Sequence, residues 1–502
     1  MSEYVLEAKS ISKSFSGVKA LRNVSIKIRK GEVHCLAGEN GSGKSTLIKI
    51  MSGFYTLDEG ELVINGKIFH KISPDEAIRE GIQVIYQDLS LFPNLTVMEN
   101  LAYNSEIMDK RKFVNYRRMR KIAAQALDKI GYSIDFEQIV GKLSIADRQL
   151  IAIARALLYN AKLIIMDEPT SALTKHEVEK LFFFVNKLTQ QGIAILFVSH
   201  KLDEVFEISN EFTILRNGEN VASAKTEELD NEKFIYYMTG RSLEARRYIP
   251  GRIGETYLQT HNLSLKGFFN NISFEAKAGE ILGITGLLGS GRRELALSLF
   301  GIQTYDSGDI VVDGKKVIIR SVSDAQTQKI GYVPEDRLEE GIFASQPVYI
   351  NVTISALDDI FIKTPIIQVS ALKKVAEYWI HELNITNRHE ELPVQTLSGG
   401  NQQKVVLGRG LQSKPKVLIL NGPTVGVDIG AKFDIHELMR RLAGAGMSII
   451  IISDDIREIK SVCSRVLVME KGTITKQYEL SSLTDAELDK LILNSEDEVL
   501  SK

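Results

Sequence analysis

The sequence predicts an α/β protein in which two similar domains follow one another along the chain. Two observations lead to this fold class. The second half repeats the first in the same order, and each half alternates short apolar runs of buried-strand type with stretches of helical pattern. Strands that alternate with helices form a largely parallel sheet covered on both faces. At 502 residues the chain is also too long for a single core.

The repeat is visible as constant spacings between matching segments. The glycine-rich segment that begins at Gly38 matches the one that begins at Gly286, 248 positions later, and Pro169 matches Pro423 at a spacing of 254. The halves therefore differ by about six residues in their middle segment. A colinear repeat of this length indicates two similar domains.

Each half has the same predicted layout. A β-rich start carries an Asn-Gly or Asp-Gly hairpin signal, at Asn65 in one half and Asp313 in the other. Mostly helical stretches follow, at roughly 95–160 and 348–412, and buried-strand runs come after them. We expect residues 1–240 and 256–494 to form the two domains, 241–255 to link them, and 495–502 to be a polar, frayed tail.

The charge, cysteine content and apolar runs of the chain exclude some classes of protein. Sixty-two basic against 64 acidic residues give a formal charge of −2, which is no footprint for nucleic acid or anionic lipid. Cys35 and Cys463 each lie in an apolar strand-like stretch, which predicts buried thiols. The start is not a signal peptide, and no apolar run approaches the roughly 18 residues of a membrane span. We expect a cytosolic protein whose membrane role would come through a partner.

The first chemical motif is the phosphate-binding pattern G-x-x-x-x-G-K-[ST]. It consists of Gly38, Glu39, Asn40, Gly41, Ser42, Gly43, Lys44, Ser45 and Thr46. An apolar strand precedes the loop and a helix start follows it, so several backbone N–H groups converge where they can hold phosphate. Lys44 can reach the β- and γ-phosphates, and Ser45 can ligand Mg²⁺. The alternative is a chance glycine-rich turn, and the strand-and-helix context argues against it.

The second motif is a pair of carboxylates, Asp167 and Glu168, at the end of the apolar run 163–166. Ligand sites in such folds lie at the carboxyl ends of strands. We expect Asp167 to belong to the Mg²⁺ shell and Glu168 to polarise the attacking water. The alternative is a solvated pair in a loop.

Three single residues carry weaker signals. Gln87 follows an apolar strand and could reach the metal ion or the water. His200 ends another strand and could contact the γ-phosphate, and the ring of Phe15 could stack on adenine. Taken alone, His200 and Phe15 fit a structural role better.

Together these motifs resemble the nucleotide-binding domain of ABC transporters. The decisive addition is the segment LSGGNQQK at 397–404, which is similar to the signature motif of that family and contains Ser398, Gly399 and Gly400. The resemblance covers nearly the whole chain. Two fused copies, with GSGRRE in the second phosphate loop and PEDR at 334–337 in place of the Gln loop, resemble the ATPase subunits of bacterial ribose/galactose-type sugar importers.

This resemblance implies a fold and a set of roles. It implies two tandem ABC-type P-loop NTPase domains, each with a mixed or parallel sheet core, an antiparallel β subdomain and a helical subdomain. Phe15, Gln87 and His200 inherit the nucleotide contacts that the family makes at these positions. The family's domains close head to tail, so each ATP lies between the phosphate loop of one half and the signature of the other. Site one then joins the first phosphate loop with Ser398, Gly399 and Gly400, and every required group is present.

In site two, several of the groups that bind and hydrolyse ATP are replaced by other residues. Its degenerate positions are Gly286, Gly289 and Gly291 of the loop, Arg292 in place of the lysine, Arg293 in place of the Mg²⁺-binding hydroxyl, Asn421 and Gly422 in place of the two carboxylates, Asp454 in place of His200, and Ile145 and Ala146 in place of the signature glycines. Losses on both components of one site, and on neither component of the other, support head-to-tail pairing. We expect no hydrolysis at site two. Nucleotide binding there stays open, because Arg292 can still meet phosphate.

The leading hypothesis is an ATPase that uses ATP and Mg²⁺ to energise a bacterial importer of a monosaccharide or a similar small polar solute. Membrane-spanning permease subunits, expected as a pair, and an extracytoplasmic solute-binding protein would be separate chains, and this one would lie at the cytoplasmic face of the membrane. An importer of nucleosides or another non-sugar solute stays open. A soluble twin-domain ATPase acting on ribosomes or DNA is disfavoured by the short linker and the dead site, and a non-hydrolysing switch by Glu168.

The resemblance also predicts where the permease docks. The family's permeases insert a cytoplasmic helix beside the Gln loop, which corresponds to residues 87–100 and, in the second half, 335–351. The apolar residues in these stretches are Leu91, Phe92 and Leu95, and Ile342, Phe343 and Val348. The alternative is that they only pack the helical part onto the core.

Overall fold

The computed structural model describes residues 3–15, 18–108, 114–171, 173–199, 201–240, 248–251, 253–287, 289–357, 369–385 and 389–480. The chain divides into two compact units, Met1–Leu243 and Glu244–Lys502. His200, most of the predicted linker and the predicted tail at 495–502 lie outside the described residues.

The first unit is built from two sheets and a set of helices. Its strands are β1 (Tyr4–Phe15), β2 (Val18–Arg29), β3 (Val33–Ala37), β4 (Glu59–Ile64), β5 (Lys67–Phe69), β6 (Ile82–Ile85), β7 (Leu163–Asp167), β8 (Ala194–Val198), β9 (Glu211–Arg216) and β10 (Glu219–Lys225). Its helices are α1 (Lys44–Met51), α2 (Pro74–Glu80), α3 (Val97–Met108), α4 (Tyr116–Ile130), α5 (Ile145–Leu158), α6 (Lys175–Gln190), α7 (Leu202–Ile208) and α8 (Asn231–Thr239).

The strand order explains where the polar motifs meet. One sheet is antiparallel, in the order β2-β1-β4-β5, and the other has the order β10-β9-β3-β8-β7-β6. In the larger sheet, β3, β6, β7, β8 and β9 are parallel, and only the edge strand β10 is antiparallel to its neighbour. Strands β3 and β8 are buried at every position, as central strands covered on both faces should be. The segments that follow β3, β6, β7 and β8 therefore leave the same edge of the sheet.

The second unit repeats this architecture. Its strands are β11 (Thr256–Leu265), β12 (Phe269–Lys277), β13 (Ile281–Thr285), β14 (Ser307–Val312), β15 (Lys315–Val317), β16 (Ile330–Val333), β17 (Val417–Asn421), β18 (Ser448–Ile452), β19 (Arg465–Glu470) and β20 (Thr473–Glu479). Its helices are α9 (Arg292–Leu299), α10 (Val322–Thr327), α11 (Val348–Thr353), α12 (Val369–Glu382), α13 (Gly399–Gln412), α14 (Ile429–Gly444) and α15 (Ile456–Val462). The sheets have the orders β12-β11-β14-β15 and β16-β17-β18-β13-β19-β20.

Several local predictions are confirmed. The hairpins expected at Asn65 and Asp313 join β4 to β5 and β14 to β15, and both residues have left-handed backbones, with φ of 51° and 48°. Cys35 and Cys463 are buried free thiols, and burial raises the pKa of Cys35 to about 12. Among the described residues, no helix is long and apolar enough to cross a membrane.

Candidate functional site

The loop between β3 and α1 has a backbone that requires glycine. Gly43 has a φ of 105°, and an added Cβ would come within 2.8 Å of the carbonyl oxygen of Ala20. At Gly38, an added Cβ would lie 2.4 Å from the carbonyl oxygen of Leu215. No side chain caps the start of α1. The first N–H groups of this helix are therefore available to an anion.

Lys44 is buried within this loop. Its Nζ donates to the carbonyl oxygens of Gly38 at 2.7 Å and of Glu39 at 3.0 Å. Ser45 is exposed, and the buried hydroxyl of Ser42 has no hydrogen-bond partner among the described residues. The loop thus presents a cation, exposed backbone and an unpaired hydroxyl at one edge of the sheet.

The two carboxylates lie at the same edge, at the end of β7. Burial and the neighbouring Glu168 raise the pKa of Asp167, and the positive charges of Lys44 and Lys49 oppose that rise. Asp167 therefore lies within the field of the loop lysine. Glu168 has a left-handed backbone, with φ of 47°, which costs about 1–2 kcal/mol for a residue with a Cβ. Strain of this kind is concentrated at functional sites.

These groups fit a magnesium–nucleotide complex. The hydroxyl of Ser45, the carboxylate of Asp167 and the side-chain amide of Gln87, which follows β6, are oxygen ligands of the kind that Mg²⁺ takes. The uncapped N–H groups of α1 and the ammonium of Lys44 suit phosphate oxygens. No position can be given for His200, which lies outside the described residues.

Phe15 is not a core residue. It ends β1, is 37% exposed, and makes an edge contact with Tyr55 at a ring-centroid distance of 5.0 Å. Tyr55, which was not predicted from the sequence, follows α1 and forms an aromatic pair with Phe15. In the second unit the paired residues Leu265 and Phe269 are separated by three residues, whereas the matching pair Lys13 and Leu21 is separated by seven. The second hairpin is therefore four residues shorter where Phe15 lies.

The signature segment of the second unit begins helix α13. Ser398 is the cap, and its Oγ accepts a hydrogen bond from Nδ2 of Asn401 at 2.9 Å. An added Cβ would lie 2.4 Å from Cβ of Ala431 at Gly400, and 2.8 Å from Nη2 of Arg337 at Gly399. Packing inside this unit therefore requires glycine at 400, whereas a side chain at 399 would have to displace the guanidinium of Arg337.

The matching segment of the first unit has an acidic residue in the first turn of its helix. Ser144 caps α5, and its Oγ accepts from the N–H of Asp147, which stands where Asn401 stands in the second unit. Burial alone would raise the pKa of Asp147, but hydrogen bonds from Tyr132 and Ser144 and the charge of Lys180 bring the pKa below its usual value. An ionised carboxylate in the first turn opposes the binding of phosphate there.

Arg292 fills the degenerate loop of the second unit. Its Nη1 donates to the carbonyl oxygen of Gly286 at 2.7 Å, the same bond that Lys44 makes to Gly38. Its Nη2 lies 3.2 Å from Oδ2 of Asp454, the residue that stands where His200 stands. Gly289 and Gly291 keep the left-handed loop backbone, with φ of 81° and 88°. The backbone is therefore retained at the loop glycines, but the cation that follows them is paired within the unit.

In the second unit, the positions that match Asp167 and Glu168 are occupied by residues with other contacts. Asn421 is buried, and its Nδ2 lies 3.4 Å from the hydroxyl of Tyr332, whose ring stacks on Phe300 at 5.2 Å. Burial raises the pKa of Tyr332 to about 12, so the hydroxyl stays protonated. Gly422 has a φ of 56°, and an added Cβ would lie 2.9 Å from Cγ of Glu335. The aromatic pair was not predicted from the sequence.

The stretches predicted to dock a permease divide into buried and exposed residues. Ile342 and Val348 belong to the core of the second unit, so the packing alternative holds for both. Leu91 is partly buried against the core of the first unit, and Leu95 is partly buried as well. Phe92 and Phe343 are 47% and 50% exposed. Each donates its N–H to an asparagine side chain, Asn100 or Asn351, at 2.8 Å.

A buried glutamate in each unit was missed. Glu204 and Glu458 fix the loops beyond the central strands by accepting hydrogen bonds from hydroxyl groups at 2.7–2.8 Å. The hydroxyl groups belong to Thr170 and Ser199 for Glu204, and to Thr424 and Ser453 for Glu458. All three pairs of matching residues are 254 positions apart, so the repeat itself contained the signal.

Comparison with known proteins agrees with this architecture. The ABC transporter family model matches residues 21–171 and 269–425. The ribose import ATP-binding protein of Geobacillus kaustophilus is 41% identical over 483 residues, which are 95% of this chain and 97% of that protein. A putative ribose/galactose/methyl galactoside import ATP-binding protein of Rhizobium meliloti is 38% identical over 493 residues, covering 98% of this chain and 96% of that protein.

Solved structures give matches of single-domain length. An ATP-binding cassette of an ABC transporter, in its ADP conformation, is 30% identical, covers 48% of this chain and 100% of that chain, and has a TM-score of 0.44. The family assignment rests on the two family matches and on relatives that align over nearly the whole chain. The chain belongs to the ABC transporter family and contains two tandem ATPase domains.

Proposed function

We propose that this chain is the ATP-hydrolysing subunit that energises import of a monosaccharide of the ribose/galactose type. The observation that carries the proposal is the pair Asp167 and Glu168, with its strained backbone, beside the buried Lys44 of an open phosphate loop. The printed names of the relatives, which refer to ribose and galactose import, support the solute class. The charge balance of −2 favours this function over one on nucleic acid.

ATP binds to the first unit. Lys44 and the N–H groups of α1 hold its phosphates, Phe15 stacks on its adenine, and His200 contacts the γ-phosphate. Ser45, Asp167 and Gln87 would hold Mg²⁺, which neutralises phosphate charge when bound. Glu168 polarises the attacking water. The raised pKa of Asp167 supports its place next to a divalent cation, because a nearby positive charge offsets the cost of burying the carboxylate.

We propose that the signature segment of the second unit also takes part in nucleotide binding. Ser398, Gly399 and Gly400 present to the phosphates a helix N-terminus whose first turn carries no acidic side chain. The degenerate site of the second unit performs no hydrolysis, because Asn421 and Gly422 supply no carboxylate and Arg293 supplies no hydroxyl ligand. One ATP is therefore hydrolysed in each cycle.

Import requires partners that span the membrane. We propose a pair of permease subunits and, through them, an extracytoplasmic solute-binding protein, with this chain peripheral at the cytoplasmic face. Phe92 and Phe343 are the aromatic residues that the two docking stretches leave exposed, and each ring could enter a permease interface.

The test combines hydrolysis with transport. The chain, its permease and the solute-binding protein are reconstituted with vesicles, and ATP turnover and uptake of labelled ribose, galactose and a nucleoside are measured for the wild type and for Glu168→Gln. We expect uptake of a monosaccharide, and a fall of turnover by about 10²- to 10⁴-fold in the variant if Glu168 acts as general base. ATP binding should persist in the variant. Turnover close to wild type would remove Glu168 from its role, and uptake of the nucleoside alone would overturn the solute class.

A further inference from the structure

The connection after the edge strand is longer in the second unit than in the first. Glu335 lies 248 positions after Gln87, but Phe343 lies 251 positions after Phe92, so three residues are added between them. They contribute to a single π-helical turn, Arg337–Gly341. Such turns are rare and often occur at functional sites. This turn follows the edge strand β16, and Ile342 and Phe343 come directly after it.

Two residues hold the turn in place. Oδ1 of Asp336 accepts the N–H groups of Leu338 at 2.9 Å and Glu339 at 3.0 Å, which fixes its start. Glu340 accepts from Nη2 of Arg293 at 2.7 Å, which connects the turn to the degenerate phosphate loop. The backbone of Arg337 is therefore anchored on both sides.

The guanidinium of Arg337 binds the loop that follows β17. Nη1 donates to the carbonyl oxygen of Val425 at 2.9 Å, and Nη2 donates to that of Gly426 at 3.1 Å. Its Nε lies 3.4 Å from Oε1 of Gln402, a buried residue of α13. One side chain thus joins the π-helical turn, the loop after β17 and the signature helix, with a fork geometry that only arginine provides.

The same guanidinium lies against the signature glycine. An added Cβ at Gly399 would be 2.8 Å from Nη2 of Arg337, and one at Gly426 would be 3.1 Å from Nη1. Gly399 is the first residue of α13, where a cation is opposed by the helix dipole. Helix stability therefore does not explain the charge, whereas an anion bound at this N-terminus would be attracted by it.

The first unit offers no equivalent. Its residues 87–92, all described, contain no arginine, and its signature positions hold Ile145, Ala146 and the ionised Asp147. A different arginine has a counterpart in each unit, and it binds another part of this region. Arg155 donates to the carbonyl oxygens of Leu89 and Ser90, and its counterpart Arg409 donates to that of Asn351. Arg337 therefore accompanies the intact signature and is absent beside the degenerate one.

We propose that Arg337 is a positioning residue for ATP hydrolysis, which fixes the signature segment 398–400 against the loop at 425–426. This inference rests on the proposed function, in which that signature takes part in nucleotide binding. Arg337 acts by setting the position of the signature segment, and its charge adds to the attraction of phosphate at the start of α13.

The test uses the full chain and two variants of one residue. Arg337→Met keeps the length of the side chain without its donors, and Arg337→Lys keeps the charge without the fork. We expect Arg337→Met to lower kcat by about 10- to 100-fold, because a small displacement of positioned groups has effects of this size. KM for ATP should change less than twofold, because the first unit still binds the nucleotide. Arg337→Lys should restore part of kcat.

The matched control is Arg440→Met, also in the second unit, where Nη2 of Arg440 donates to the carbonyl oxygen of Ser461 at 3.0 Å. We expect wild-type kcat in this control and comparable thermal unfolding in all the variants. Wild-type kcat in both Arg337 variants would overturn the inference. If Arg337→Met does not fold, Arg337→Lys decides: reduced kcat at unchanged KM supports the role, and wild-type kcat overturns it. Glu168→Gln in the same assay separates the two proposals, because its normal turnover would overturn the proposed function instead.

Discussion

The two phosphate loops have similar backbones at their three glycines but differ in the residues that carry the chemistry. Lys44 and Arg292 both donate to the carbonyl oxygen of the first loop glycine at 2.7 Å, and both follow a glycine with a left-handed backbone. In the second unit the cation is also paired with Asp454 at 3.2 Å. The difference shows that a nucleotide loop can keep its fold after its chemistry has been replaced, because the loop backbone is held by the sheet and not by the ligand.

The strand ends that follow show the same contrast. In the first unit, Glu168 retains a strained left-handed backbone beside a carboxylate whose pKa is raised. In the second, Gly422 adopts the same backbone without strain, and Asn421 lies near the uncharged hydroxyl of Tyr332. Selection for stability alone favours the second arrangement, so the cost retained at Glu168 indicates function.

The largest expected effect is the loss of turnover in Glu168→Gln, and substitutions that restore carboxylates to the second site should not reverse it. In a Glu168→Gln background, Asn421→Asp and Gly422→Glu together should leave turnover at the level of Glu168→Gln, about 10²- to 10⁴-fold below wild type. The reason is that Arg293 still supplies no hydroxyl, and the new Glu side chain meets Cγ of Glu335. The readouts are steady-state phosphate release and the midpoint of thermal unfolding.

The double variant should also be less stable than its background. A non-glycine residue with the left-handed backbone of Gly422 costs about 1–2 kcal/mol. Asn421→Asp without the second change serves as the control that separates burial of a carboxylate from backbone strain. Recovery of turnover by more than tenfold would show that the decay of the second site is confined to its carboxylates.

Much of this arrangement was predictable because the repeat fixes which residues correspond. The phosphate loop, the carboxylates after β7 and the hairpins at Asn65 and Asp313 follow from local pattern. The replacements that fill the second site do not, because they depend on contacts between distant segments. Tyr332 and Phe300 are 32 positions apart and gave no periodic signal, and the role of Arg337 depends on carbonyl groups almost 90 positions away.

Each docking stretch exposes one aromatic residue, Phe92 or Phe343, and its substitution by glutamate tests whether the two units dock in the same way. Phe92→Glu and Phe343→Glu should release the chain from permease-containing membranes and abolish uptake, while ATP binding persists. Loss of a buried aromatic anchor typically costs about 2 kcal/mol or more, which is about a 30-fold loss of affinity. Leu91, partly buried against the core, is the less informative target because charge there also threatens folding. Co-purification with the permease is the measurement.

Phe183→Glu is the matched control, because Phe183 is 65% exposed on α6, outside both stretches. We expect it to co-purify with the permease at wild-type yield. If Phe92→Glu and Phe343→Glu also did so, the exposed rings would have no part in docking. If only one variant lost the permease, the two units would differ in docking as they differ in their phosphate loops.

The smallest effect concerns the aromatic surface that only the longer hairpin provides. Phe15→Ala should weaken ATP binding by about 1–3 kcal/mol, the scale of base stacking on an aromatic side chain. The ring of Phe15 makes an edge contact with Tyr55 and is still 37% exposed. Phe268→Ala is the control, because Phe268 is 45% exposed in the turn of the shorter hairpin and should leave affinity unchanged. Calorimetric titration with ATP measures both. Equal affinity of Phe15→Ala and wild type, with unchanged unfolding, would confine Phe15 to packing against Tyr55 and would remove the hairpin length from the differences that matter for nucleotide binding.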